Sequence, residues 1–163
     1  MKEVELKKNV PRAMNYAAAK QRTEIRKRIK SYLSNVKVRF LNQRIKVFKA
    51  TRQNWAAAVF VSAKKIPLTE LNFRHALGGS VYKFGAQKKI RKKAFLVKKI
   101  KGVALTQPVA FERKTKKRLP IRKAYETSLA TLARRKKIAL GAQKKMLALF
   151  IKELRRLNKA KIK

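Results

Sequence analysis

The residues of this chain that could do chemistry are its lysines and arginines, which number 47 against seven acids and one histidine in 163 residues. The formal net charge is +40. Two dense basic runs stand out, KKIRKK at 88–93 and KTKKR at 114–118. Such side chains neutralise phosphates with little sequence discrimination and release the counterions of a polyanion. The sequence therefore favours electrostatic contact with a polyanion, most commonly nucleic acid, and acidic protein surfaces are the second option.

Three groups of cations are predicted to contact the anion. The two dense runs contribute Lys88, Lys89, Arg91, Lys92, Lys93, Lys114, Lys116, Lys117 and Arg118. The polar face of the first predicted helix contributes Arg22, Arg26, Lys27 and Lys30. The alternative for each group is a solubilising face or contact with the acidic patch of a neighbouring protein.

Several kinds of catalysis and metal binding are excluded by composition, because the chain has no Asp and no Cys. Disulfides, cysteine nucleophiles, a Ser-His-Asp triad and clustered zinc ligands all need those residues. His75 lacks partners of these types, and Gly78-Gly79-Ser80 fits neither the P-loop nor the dinucleotide-binding spacing. We therefore expect no enzyme activity, no metal and no cofactor.

Six aromatic residues lie near the basic runs and could stack on bases. We expect them to fill the core instead, because Phe48, Phe95 and Phe111 sit inside strand-like apolar patterns. The six residues are Phe40, Phe48, Phe84, Phe95, Phe111 and Tyr125.

The elements that must position these residues begin with a helix from Asn9 to Leu33. Asn9 is predicted as its N-cap and Pro11 as part of its first turn. A second helical pattern runs from Ser128 to Asn158, with Ser128 or Thr127 as the cap. Gly141 predicts a kink or a division of this helix, and Leu147 and Ile151 are expected to widen its core-facing stripe.

The segment between the helices reads as antiparallel strands. Arg44–Ala50 and Trp55–Ser62 predict a hairpin around a turn at 51–54. Residues 72–92 predict a loop, or a hairpin with a strand at Ser80–Phe84. Two further strands, Ala94–Lys101 and Val103–Arg113, are joined at Gly102. Pro67 predicts an edge strand, and Pro108 predicts an edge strand or a bulge.

The predicted architecture is a single α+β domain spanning residues 1–163, with flexible ends at 1–8 and 159–163. An N-terminal helix, an antiparallel sheet with a glycine-bearing loop and a long C-terminal helix packed on the sheet make up this domain. No apolar run is long enough for a transmembrane helix. We expect the free subunit to be marginally stable, because its lysine and arginine side chains repel one another. Anionic partners are expected to stabilise it.

The region from Ala94 to Ser128 resembles the signature region of the tailed-phage minor tail protein Z family. An AFLV strand leads to a glycine turn at Gly102, a second strand ends in Phe111-Glu112-Arg113, and a basic turn precedes the RLPI segment. Upstream, 17–23, 44–51 and 66–68 resemble the family in the same order. Glu126-Thr127-Ser128 departs from the Gly-Pro-Ser of the family. The matching motif residues are Phe95, Gly102, Arg113, Arg118, Leu119, Pro120 and Ile121.

This resemblance implies a structural virion protein, a tail completion protein at the head-proximal end of the tail. It implies a homo-oligomeric ring that meets the tail tube or tail terminator and the head connector. The double-stranded DNA genome passes along the axis of such a ring, and no membrane is involved. The particle would be assembled in the host cytoplasm. The alternatives from composition are a ribosomal or other RNA-binding structural protein and a nucleoid-type DNA-binding protein.

Overall fold

The computed structural model describes residues 3–76, 79–100, 103–115 and 119–159 of the chain. Helices enclose a middle region of short antiparallel strands, and the predicted α+β class is confirmed. The helices are α1 Glu3–Tyr32, α2 Val38–Arg44, α3 Leu129–Arg135 and α4 Ile138–Lys159, with a 3₁₀ turn at Leu68–Leu71. The strands are β1 Ile45–Phe48, β2 Ala58–Val61, β3 Lys65–Pro67, β4 Arg74–Ala76, β5 Gly79–Phe84, β6 Gln87–Arg91, β7 Ala94–Ile100, β8 Val103–Arg113, β9 Ile121–Lys123 and β10 Tyr125–Ser128.

Helix α1 begins at Glu3, so the prediction of Asn9 as its N-cap is wrong, and residues 3–8 are helical rather than a flexible end. Pro11 lies inside the helix. Asn9 is buried, and its side-chain amide donates to Asn158 Oδ1 at 3.1 Å. Because packing against α4 stabilises this turn, the helix continues through the proline despite the backbone hydrogen bond that a proline removes.

The long C-terminal helix packs mainly along α1, whereas the sequence predicted that it would lie on the sheet. The two helices are antiparallel, because Asn9 meets Asn158 at one end and Lys145 approaches Glu24 at 4.0 Å further along. Small residues on α1, including Ala13 and Ala17, are buried in this region of the fold. The sequence pattern identified the apolar stripe of α4 but not the element that covers it.

The start of the C-terminal helical region is capped as predicted, since the Thr131 N–H donates to Ser128 Oγ at 3.1 Å. The division between α3 and α4 falls at Lys137, whose φ of 51° ends the helical path. The prediction of a division at Gly141 is therefore wrong. Leu147 and Ile151 also do not widen the buried stripe, because both side chains are exposed.

Strands β1 and β2 form the predicted hairpin, with Ile45 opposite Val61. Its turn is held by the Thr51 N–H donating to the Asn54 carbonyl at 2.8 Å. Strand alternation turns Ile45 inward and Phe48 outward, so the expectation that Phe48 fills the core is wrong. Helix α2, which runs directly into β1, was not predicted.

The remaining strands form three small antiparallel sheets, β3 with β10, β4-β5-β6 and β7-β8-β9. For residues 72–92 the hairpin alternative is confirmed, because β5 pairs along its length with β6. Pro67 lies in β3, whose one partner among the described strands is β10, as expected for an edge strand. Pro108 lies where the register between β7 and β8 shifts, as expected for a bulge.

The hydrophobic core lies between the C-terminal half of α1, the start of β1, the 3₁₀ turn and α3. Its largest fully buried side chains come from several separate elements, so burial there fastens the helices to the strands. These side chains are Ile29, Val36, Leu41, Ile45, Ile66, Leu68, Leu71 and Leu129.

Two glycines allow a matched test of this packing. Gly85 has a φ of 66° in the β5–β6 turn, and an added Cβ would lie 2.7 Å from the ring of Tyr32. We expect Gly85→Ala to lower the free energy of unfolding by about 1–2 kcal/mol, because an L-residue is strained in this conformation. Urea denaturation at fixed salt measures the change.

The same substitution at Gly141 is the control. Gly141 lies in a helix, and the atom nearest to an added Cβ is the end of the flexible Arg28 side chain, at 2.7 Å. Gly141→Ala should leave stability unchanged or raise it by up to about 1 kcal/mol, because alanine favours helix. A larger loss at Gly141 than at Gly85 would contradict the described packing.

Candidate nucleic-acid interface

Two predicted basic runs meet at one end of the β7-β8-β9 sheet. The Arg113 N–H donates to the Lys93 carbonyl at 3.0 Å, and the Lys114 N–H donates to the Pro120 carbonyl at 3.1 Å. These bonds place the turn between β6 and β7 beside the end of β8. We call the four exposed cations there, Lys92, Lys93, Arg113 and Lys114, the basic end.

Strand β9 adds two cations to this region that the sequence reasoning missed. Arg122 pairs across the sheet with Glu112, and Lys123 pairs with Phe111. Both are exposed. The signal that could have found them was their position directly after RLPI, where β9 returns alongside β8. Lys116, Lys117, Arg118 and Gly102, which the sequence also singled out, lie outside the described residues.

The family-motif residues Phe95 and Arg113 are in contact. The Arg113 guanidinium lies 5.5 Å from the centre of the Phe95 ring, and Phe95 stacks on Phe111 with ring centres 6.3 Å apart. The Arg113 guanidinium is therefore held over the stacked phenylalanine rings, and the side chain is still exposed to solvent. Leu119, Pro120 and Ile121 are all exposed, so these three residues form surface beside the basic end.

A carboxylate network ties the strands together next to the basic end. Arg91 lies 3.2 Å from Glu112 and 3.7 Å from Glu126, and Lys89 lies 3.5 Å from Glu126. The Tyr82 hydroxyl donates to the same Glu126 carboxylate. Lys89 and Arg91, predicted as anion contacts, thus serve as internal partners that join β6 to β8 and β10.

The pKa of Glu126 reflects this network. Burial raises the pKa, but hydrogen bonds from the Tyr82 hydroxyl and the Thr127 N–H, with the charges of Lys89 and Arg91, outweigh burial and hold it below its ordinary value. The pKa of Tyr82 is raised, first by burial and then by the hydrogen bond to Glu126. The network is therefore most stable with Glu126 ionised and Tyr82 neutral.

Strand alternation divides the run at 88–93 into two faces. Lys89 and Arg91 point towards the carboxylate network, whereas Lys88 and Ile90 are exposed. Lys88 lies opposite Lys83 on β5. From this run, Lys88, Lys92 and Lys93 are the side chains free to meet an anion in solvent.

Three of the four predicted contacts on α1 are used inside the molecule. Arg22 Nε donates to the Ile45 carbonyl at 2.9 Å, and Arg26 Nη1 donates to Asn42 Oδ1 at 2.9 Å. Lys30 Nζ donates to the Ser34 and Val36 carbonyls at 2.6 and 2.7 Å. Lys27 is exposed. The sequence could not show this, because the acceptors belong to α2, to β1 and to the loop after α1.

The aromatic residues near the basic runs divide into buried and exposed side chains. Phe40 and Phe84 are buried, and Tyr125 is exposed. Phe48 and Phe60 project from the β1–β2 hairpin with exposed fractions of 59% and 49%, as an edge-to-face pair with centres 6.1 Å apart. Exposed rings beside a lysine such as Lys46 are the arrangement that stacks on unpaired bases.

The basic end offers exposed cations on a backbone held by strand pairing and suits contact with regularly spaced phosphates. Among the described residues, no group of three or more His or Glu side chains could hold a metal ion. Over the same ranges, no helix is both long and apolar enough to cross a membrane. A scan against protein-family models, a search of curated proteins and a search of solved structures each found no match to this chain.

The carboxylate network supplies a test of the site's framework. We expect Glu126→Gln to lower the free energy of unfolding by about 2 kcal/mol, because a half-buried carboxylate loses the charged hydrogen bond from Tyr82 and its ion pairs with Lys89 and Arg91. Thermal or urea denaturation measures the loss. Glu70→Gln is the matched control, since Glu70 makes no ion pair within the described part of the chain and the net charge changes equally.

The lowered pKa of Glu126 also predicts a pH dependence. A carboxyl whose folded pKa is depressed contributes stability above its unfolded pKa, about 4.3, and loses that contribution as pH falls through the folded pKa. Stability should therefore decline below about pH 4.3, and the decline should be smaller in Glu126→Gln. Equal acid slopes in the two proteins would show that the network is not formed in solution.

Proposed function

We propose that this chain is a structural virion protein, a tail completion or minor tail protein at the head-proximal end of a phage tail. In this role it joins the tail to the head connector and contacts the genome electrostatically. The observation that carries the proposal is the basic end, where cations from separate segments are gathered within the region that resembles the minor tail protein Z family.

The excess charge supports a role inside a larger assembly. With 47 basic residues and seven acids, intramolecular ion pairs can neutralise few of the cations. Repulsion among the rest favours expansion unless a polyanion or acidic neighbours surround the chain. A ring of identical subunits multiplies the charge around its axis, and double-stranded DNA on that axis would neutralise it.

An RNA-binding structural protein, such as a ribosomal protein, is the second candidate. The exposed pair of Phe48 and Phe60 beside Lys46 favours it. Aromatic side chains stack on unpaired bases, which RNA loops and bulges offer and a DNA duplex does not. The basic end does not distinguish the two candidates, since phosphates are common to both nucleic acids.

The particle that contains the chain separates the two candidates. Density-gradient fractions from a lysate that releases phage should contain the chain in the virion band, where mass spectrometry can detect it. Recovery in ribosomes that have been washed with high salt, and absence from virions, would overturn the virion proposal. Genes for a tail tube protein and a tape-measure protein next to the coding sequence would support it.

The DNA contact predicts strong salt dependence without sequence preference. Affinity for two duplexes of unrelated sequence should be equal and should fall steeply as salt rises, because binding releases counterions. Removing the four cations of the basic end should reduce the magnitude of the slope of log K against log salt by about 3.6, since each lost phosphate contact removes about 0.9. The variant is Lys92→Gln, Lys93→Gln, Arg113→Gln and Lys114→Gln combined.

A control variant removes the same number of exposed cations from the β1–β2 hairpin region. It combines Lys49→Gln, Arg52→Gln and Lys64→Gln with Lys65→Gln at the start of β3. We expect its slope to change by less than about 1, the value of a single phosphate contact. Equal losses in the two variants would show that net charge, and not the basic end, determines binding.

A further inference from the structure

The outward side of α4 carries a row of exposed apolar side chains. Leu140, Leu147 and Ile151 have exposed fractions of 58%, 64% and 39%. Their spacings of seven and four residues place them on one face of a helix with 3.6 residues per turn. We call these three residues the outer face of α4. Single exposed leucines are ordinary, but a row over three turns marks an interaction surface.

The two borders of the outer face differ. On one side, helical spacing places the exposed cations Lys152 and Arg155. On the other side it places the exposed amide Gln143, and then the half-buried apolar residues Met146 and Phe150, which lead towards the core. The surface therefore has a mainly apolar centre, one cationic border and one mainly apolar border.

A groove of about 980 Å³ adjoins the cationic border, between α4 and the first half of α1. Tyr16 and Ile151 give it apolar walls, and Lys152, Arg155 and Lys159 line it with positive charge. The one carboxylate in its described lining, Glu153, is paired with Arg156 at 2.7 Å. An occupant of the outer face would therefore meet cations along this side.

A second copy of the chain does not satisfy this surface. If two outer faces pair with antiparallel helices, two-fold symmetry sets the Lys152 and Arg155 border of one copy against the same border of the other. If the helices are parallel, each cationic border lies over the apolar border of its partner. Neither arrangement supplies the acids that the border lacks.

We propose that the outer face of α4 docks an amphipathic helix of a partner protein, with an apolar stripe and acidic residues along one side of it. The stripe covers Leu140, Leu147 and Ile151, and the acids pair with Lys152 and Arg155. This is the helix-on-helix mode in which apolar anchors give affinity and border charges fix orientation. The inference goes beyond the proposed virion role and does not depend on it.

A designed peptide serves as the probe, measured against the full chain by fluorescence anisotropy at physiological salt. It has about 20 residues, with leucines at helical spacing and glutamates along one side. A second peptide has the same composition in scrambled order, so that it keeps the charge and loses the stripe. We expect the patterned peptide to bind at least tenfold more tightly than the scrambled one.

Variants of the chain locate the binding. Leu147→Gln with Ile151→Gln should lower the affinity for the patterned peptide at least tenfold. The circular dichroism spectrum should stay unchanged, because both side chains are exposed. Val38→Gln with Ile90→Gln removes two exposed apolar side chains elsewhere and should leave affinity unchanged. Lys152→Glu with Arg155→Glu should weaken binding of the patterned peptide severalfold. The same variant should bind a version of the peptide that has lysines in place of the glutamates with restored affinity.

Three outcomes would overturn the proposal. Equal binding of the scrambled peptide would show attraction by net charge only. Self-association of the chain that Leu147→Gln with Ile151→Gln abolishes would identify a second copy as the occupant. Binding to vesicles of anionic phospholipid that the same double variant abolishes, without preference for the patterned peptide, would assign the outer face to a membrane surface.

Discussion

Repulsion among cationic side chains is the constraint on which the rest of this structure depends. Seven glutamates cannot neutralise 47 cations, so their positions matter more than their number. Glu24 pairs with Arg28 on its own helix and lies 4.0 Å from Lys145 on α4. Glu112 and Glu126 both form ion pairs with Arg91. The pKa of Glu24 is lowered, chiefly by the hydrogen bond from Arg28. Acids at these junctions allow elements of the same sign to approach one another.

The cations themselves divide into internal donors and solvent-facing charges. Arg22, Arg26 and Arg91 donate hydrogen bonds to groups on other elements, whereas Lys92 and Lys93 are exposed and make no ion pair within the described residues. The planar guanidinium can reach several acceptors and keeps its charge when half-buried, which suits it to internal positions. Lys30 is an exception, because it closes the loop after α1 through two carbonyls.

The parts of the fold that the sequence predicted are those set by local patterns. Alternation identified the β1–β2 hairpin, a hydroxyl before a helical run identified the Ser128 cap, and the prolines identified an edge and a bulge. Contacts between distant segments escaped prediction. The partner of α4 and the internal roles of Arg22 and Arg91 depend on residues far away in sequence. The two basic runs were each visible, but their meeting at one end of a sheet follows from the pairing of β8.

Whether the side chains of a surface are flexible or fixed determines how specific that surface can be. At the basic end the backbone is fixed by strand pairing, but the lysine side chains remain flexible, so they can follow phosphates without reading bases. The outer face of α4 differs, because side chains on a packed helix hold a fixed spacing and demand a matching shape. A chain that could meet its partners through charge only would not need exposed leucines at helical spacing. Under the two proposals these surfaces have separate tasks, in which charge attracts a polyanion and the helix selects a protein.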